Sequence, residues 1–95
     1  MWYNSLMNII TSKSNNGIKK VKKLHQKKYR IDSYLIEGWH LYEEAINHQA
    51  PIEQVFVLEE FVDKVKKDTK VTIVTPEVLA EIADSKSPQG IVAEI

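Results

Sequence analysis

Tyr34-Leu35-Ile36-Glu37-Gly38-Trp39-His40-Leu41-Tyr42-Glu43-Glu44-Ala45-Ile46 decides how this 95-residue chain folds. Tyr34, Leu35 and Ile36 form a short β-favouring apolar run, which suits a strand covered on both faces of a parallel or mixed sheet. Gly38 then marks a turn, since the missing Cβ permits positive φ or a close backbone approach. From Trp39 onward the period changes to 3.6. Trp39, Leu41, Tyr42, Ala45 and Ile46 fall on one side of a helix, and His40, Glu43, Glu44, Asn47 and His48 on the other.

Working outward, the same alternation repeats. Ser12 to Gly17 is polar and reads as a loop into a helix whose apolar stripe is Ile18, Val21 and Leu24, with His25 between them. Gln54 to Leu58 and Val71 to Val74 read as strands. Glu59 and Glu60 suit a helix N-terminus, with Phe61, Val62 and Val65 as its stripe. Thr75-Pro76 is a capping hydroxyl followed by proline in the first turn, so a helix starts there and turns Val78, Leu79, Ile82 and Ala83 inward. A polar turn over residues 84–90 leads to a last strand at Ile91 to Ile95. The order α-β-α-β-α-β-α-β predicts crossover connections and helices on both faces of a sheet. The expected fold is therefore α/β, a three-layer sandwich around four strands.

One domain accounts for a chain of this length. Residues 1–8 read as a leader, flexible or not native to the domain, and residues 9–95 as the domain itself. The absence of cysteine excludes disulfide and thiol chemistry and fits a reducing, cytoplasmic setting. No apolar run approaches the roughly 18 residues of a membrane span. His25, His40 and His48 lack metal-ligand spacing, so no metal site is expected. There is no glycine-rich phosphate loop and no nucleophile–base–acid spacing, so no catalytic residue is expected either.

The formal net charge of zero hides a sharp division. Residues 13–30 carry Lys13, Lys19, Lys20, Lys22, Lys23, Lys27, Lys28 and Arg30 with no acid, a net +8. Residues 31–95 hold all 13 acids against five lysines, a net −8. On the first helix the lysines lie opposite the apolar stripe. A helix face that is merely solvated usually mixes signs to gain i,i+4 pairs, so this run points to an anionic partner, nucleic acid first. Tyr29 beside Arg30 suits stacking on an unpaired base, or else caps the apolar stripe. Glu37 is read as bonding backbone amides of the turn rather than as a base.

Leu-Ile-Glu-Gly-x-His-Leu-x-x-Glu-Ala, here Leu35 to Ala45, resembles the N-terminal substrate-binding domain of SpoU/TrmH-type RNA 2′-O-ribose methyltransferases. Two further segments share the resemblance: Ile10-Thr11-Ser12 with Asn16, Ile18 and Lys19, and Ser87-Pro88-Gln89-Gly90-Ile91-Val92-Ala93. It implies a fold like that of ribosomal protein L30e, with a mixed sheet, and RNA as partner, ribosomal or transfer. It also implies that methyl transfer and S-adenosylmethionine binding belong to a separate, covalently linked C-terminal knotted domain of the full-length enzyme. For this chain the expectation is no cofactor, no catalysis and a monomer. The RNA-binding residues on this reading are Lys19, Lys20, Lys22, Lys23, Lys27, Lys28 and Arg30, with His40 as a phosphate donor or else a structural cap of the turn, and Gln89 reaching RNA or the next domain. Glu37, Gly38, Pro88 and Gly90 shape the turns. A stand-alone kink-turn binder of the ribosomal L7Ae/L30e kind is the alternative.

Overall fold

The computed structural model describes residues 7–26, 33–66, 69–83 and 89–95. The elements run β1 (Met7–Ile10), α1 (Asn16–Lys22), a 3-10 turn (Lys23–His25), β2 (Leu35–Glu37), α2 (Trp39–Asn47), β3 (Gln54–Leu58), a 3-10 segment (Glu59–Lys64), β4 (Val71–Val74), α3 (Pro76–Ile82) and β5 (Ile91–Glu94). The sheet order is β1-β4-β3-β5-β2. β1, β4 and β3 are parallel, while β5 runs antiparallel to both β3 and β2.

The sheet is mixed, as expected, but it has five strands rather than four. The extra one is β1, which pairs with β4 from Met7↔Val71 to Ile10↔Val74. Its four residues include polar Asn8, so neither period nor length distinguished it from a leader. The boundary between residues 8 and 9 falls inside this strand.

Leu35 to Glu37 forms an edge strand, β2, which among the described residues pairs with β5; it is half-buried, with Leu35 packed against one core layer and Ile36 against the other. Tyr34 lies just outside it and is 51% exposed. β4 is buried along its whole length, and in β3 the buried Val55, Phe56 and Val57 alternate between the two faces.

Strand alternation divides the core in two. One layer packs Ile18, Val21, Val78, Leu79 and Ile82 of α1 and α3 on Phe56, Val74 and Val92. The other packs Tyr42 of α2 and Val65 on Val55, Val57, Val71, Ile73, Ile91 and Ala93. Trp39, Ile46, Phe61 and Val62 close that second layer's rim. Leu41, expected to face inward, is 44% exposed at the margin of α2.

Caps explain where the helices start. Asn15 Oδ1 accepts from the amides of Gly17 and Ile18 at 2.7 and 3.3 Å, and Thr75 Oγ1 accepts from Val78 at 3.2 Å ahead of Pro76. Each satisfies donors that the first helical turn leaves unpaired. Among the described residues no helix is long and apolar enough to cross a membrane.

Candidate nucleic-acid interface

The turn from β2 into α2 is built on Gly38, whose φ of 95° and ψ of 151° lie in a region that essentially only glycine occupies. Its amide donates to the Ile91 carbonyl at 3.1 Å, and its carbonyl accepts from Tyr42 at 3.1 Å, the first bond of the helix. The next residue, Trp39, donates from Nε1 to the Gln89 carbonyl at 2.9 Å. A Cβ on Gly38 would stand 2.8 Å from Gln89 Oε1. Two segments about 50 residues apart, Leu35–Ala45 and Gln89–Ala93, thus meet at one end of the sheet.

Gly90 repeats the device with φ 95°, and its carbonyl accepts from the Leu58 amide at 3.1 Å. A Cβ there would lie 2.7 Å from the Phe61 ring. Phe61 in turn meets Trp39 edge-on at 5.9 Å, and Trp39 meets Tyr42 the same way at 5.7 Å. Lys64 Nζ sits above both Trp39 and Phe61, at 5.4 and 5.1 Å from their centroids. This aromatic wedge holds the two glycine turns in register. Exposed at its edge are Gln89 and His40, whose Nε2 lies 3.2 Å from Glu44 Oε1 on the same helix.

The basic surface lies elsewhere. Ile18, Val21 and Leu24 are buried under α1 and its 3-10 extension, while Lys19, Lys20, Lys22 and Lys23 are exposed. His25, between the two arcs, donates from Nε2 to the Ile82 carbonyl at 2.6 Å, which ties the end of this helix to the end of α3. Lys22 is committed to Glu81 of α3 at 3.0 Å. Its hydrogen bond and charge hold the Glu81 carboxyl below the ordinary value, against a smaller opposing effect of desolvation and with slight help from Lys13. Lys27, Lys28, Tyr29, Arg30 and Pro88 lie outside the described residues.

Lys20 and Lys23 overhang a cleft of about 690 Å³ whose wall also includes Ser33, Gln54, Lys70 and Glu94. Gln54 is registered with Glu94, and Val57 with Ile91. The cleft therefore opens at the end of the sheet opposite the Gly38–Gln89 turn. The residues expected to bind RNA thus fall into two groups, a lysine group at one end and His40 with Gln89 at the other. Lys70 joins the first group from a distant segment. Its only trace in the sequence is a position two before Thr72, on the same face of β4. Among the described residues no group of three or more His, Asp or Glu side chains is arranged to hold a metal ion.

The family model for the MRM3-like substrate binding domain matches residues 15–93. Over 93 residues the chain is 31% identical to the 23S rRNA (guanosine(2553)-2′-O)-methyltransferase RlmP of Bacillus subtilis (strain 168), covering 92% of this chain and 37% of that protein. The fold superimposes on the crystal structure of an RNA 2′-O ribose methyltransferase with a TM-score of 0.77 and 27% identity, over 90% of this chain and 36% of the other. An AdoMet-bound rRNA methyltransferase from Sinorhizobium meliloti gives a TM-score of 0.80 at 25% identity, over 95% and 36% of the two chains. The chain thus spans little more than a third of the length of these relatives.

Proposed function

This chain belongs to the MRM3-like substrate binding domain family, and from that premise we propose that it recruits RNA for a 2′-O-ribose methyltransferase. Ribosomal RNA is favoured over transfer RNA as its partner, because the curated relative and the S. meliloti protein are both rRNA methyltransferases by name. The observation that carries the contact surface is the outer face of α1 and the 3-10 turn after it: Lys19, Lys20, Lys22 and Lys23 are exposed opposite a buried stripe, with no acid between residues 13 and 30. Lysines placed this way neutralise phosphates and release counterions, a sequence-independent attraction that positions RNA. On this reading His40 and Gln89 form a second contact at the far end of the sheet. The fold is of the L30e kind.

Methyl transfer on this reading belongs to the remainder of a longer polypeptide, supplied with S-adenosylmethionine there. No step of that chemistry is routed through the residues described here. We place the protein in the cytoplasm, and this domain as a monomer. The stand-alone kink-turn reading has no observation in its favour.

The test reverses Lys20 and Lys23 to glutamate and measures affinity for structured ribosomal RNA across a salt series. Contact with about four phosphates gives a slope of log K against log salt of roughly −3 to −4 for the wild type, and a much shallower one for the variant. Exposed substitutions shift stability by no more than about 0.5 kcal/mol, which circular dichroism during unfolding checks. Equal affinity of the two folded proteins at every salt concentration removes α1 from the interface.

A further inference from the structure

The face of the sheet beneath α1 changes character toward one end. In its interior β5, β3 and β4 place Val92, Phe56 and Thr72 side by side, all buried. One pleat further, alternation brings Glu94, Gln54 and the position just before β4, Lys70, onto the same face. The polar row is ordered rather than frayed. Glu94 Oε1 accepts from Gln54 Nε2 at 2.7 Å, and Oε2 accepts from Ser33 Oγ at 2.8 Å. Lys20 of α1 and Lys23 of the 3-10 turn line the cleft beside this row, about 690 Å³ in volume and within the ~300–1,000 Å³ typical of small-ligand sites.

The chemistry of this cleft is selective. A carboxylate has about four acceptor positions on its two oxygens. Ser33 and Gln54 use one on each, which leaves each oxygen a further acceptor position on a group that is already held in place. The two oxygens of one carboxylate, in a cleft that Lys20, Lys23 and Lys70 also line, match a ligand with two adjacent donors and an anion close by. Among the RNA bases only guanine presents two neighbouring donors, N1–H and N2–H, on its Watson–Crick edge. Adenine, cytosine and uracil each set an acceptor beside their donor, and that acceptor would face the carboxylate with like polarity. Unpaired bases read on this edge are the usual basis of sequence-specific RNA recognition.

We propose that the cleft binds one unpaired guanosine of the RNA, with its base edge on Glu94 and its phosphates on Lys20, Lys23 and Lys70. The proposal rests on the RNA-recruiting function above, and adds to it a base preference that lysines alone do not supply. Lys70 becomes a phosphate contact and Glu94 the residue that sets specificity.

The experiment measures binding of the 95-residue chain to uridine pentamers carrying guanosine, inosine, adenosine, cytidine or uridine at the centre. The guanosine oligomer is expected to bind roughly tenfold or more tightly than the adenosine, cytidine and uridine ones. Inosine, which lacks the 2-amino group, should lose most of that advantage, a result that needs no variant. Glu94→Gln turns one acceptor into a donor and should erase the preference while keeping the affinity for the uridine oligomer. Lys70→Ala should weaken all five oligomers by a similar factor. Equal affinity for all five, or a preference that survives in folded Glu94→Gln, overturns the guanosine site while structured RNA still binds. Loss of binding to structured RNA as well overturns the recruiting function, and this site with it. Tighter binding of GTP than of the guanosine oligomer would overturn RNA as the source of the nucleotide.

Discussion

Replacing Gly38 and Gly90 singly with alanine separates two costs that the structure superimposes. Both residues have φ of 95°, so a Cβ at either position strains the backbone by about 1–3 kcal/mol. Their surroundings differ. The new methyl at position 38 meets Gln89 Oε1 at 2.8 Å, the far end of an exposed side chain that can swing aside. At position 90 it meets two atoms of the Phe61 ring at 2.7 Å, and that ring is wedged against Trp39 beneath Lys64. Forcing a methyl into such packing adds about 1–3 kcal/mol. Gly90→Ala should therefore cost about 2–6 kcal/mol and Gly38→Ala about 1–3, out of a total of ~5–15 for a domain. With an m-value of about 1 kcal/mol per molar urea, the Gly38 variant unfolds about 1–3 M earlier, and the Gly90 variant earlier still or without a native baseline. Urea titration followed by tryptophan fluorescence reads both. Equal midpoints for the two variants would show that the Phe61 ring yields freely, and a Gly38→Ala midpoint at the wild-type value would refute the backbone argument.

Other expectations follow from single contacts. Lowering the pH should weaken the Lys22–Glu81 pair: the folded carboxyl titrates below its ordinary 4.5, so its contribution is complete above about 4.5 and lost as the pH falls through the lower folded value. An NMR titration that places Glu81 at its ordinary value in the wild type would sink that claim, and Lys22→Met should restore it there. Thr75→Ala removes the acceptor for Val78 and should cost about 0.5–2 kcal/mol in thermal or urea unfolding. Tyr42→Phe leaves the Lys66 amide without the 2.8 Å acceptor it has in Tyr42 Oη; a loss of about 1 kcal/mol is expected, and no loss would mean that water replaces the hydroxyl.

What could be read beforehand follows from where each signal lies. Gln54–Leu58, Val71–Val74 and the start of α3 were legible because apolar run, cap and proline all sit within a few neighbouring residues. Ile18, Val21 and Leu24 were legible through a simple period, and the lysine face followed from it. β1 was not, because four residues with Asn8 among them gain strand character only from Val71–Val74, some 60 positions away. β2 was legible as a strand but not as an edge. Leu35 and Ile36 show its apolar character, yet its place in the sheet depends on pairing with β5, which composition does not encode. The same limit hid the pairing of Lys22 with Glu81 and the row of Glu94, Gln54 and Lys70. Each joins residues from separate elements that only the strand order brings together.

The strand order also constrains how the molecule assembles during synthesis. Of the five strands β5 is made after the other four, yet it lies between β3 and β2, which are not neighbours in the sheet. Until residues 91–94 leave the ribosome, β2 is a three-residue segment without a partner, and β3 presents a raw edge. The earliest strand, β1, waits in turn for β4. Folding of this kind is dominated by contacts distant along the chain and is slow to begin. A nascent chain halted after α3 therefore exposes apolar edges open to wrong pairing, and those few residues of β5 close the sheet all at once.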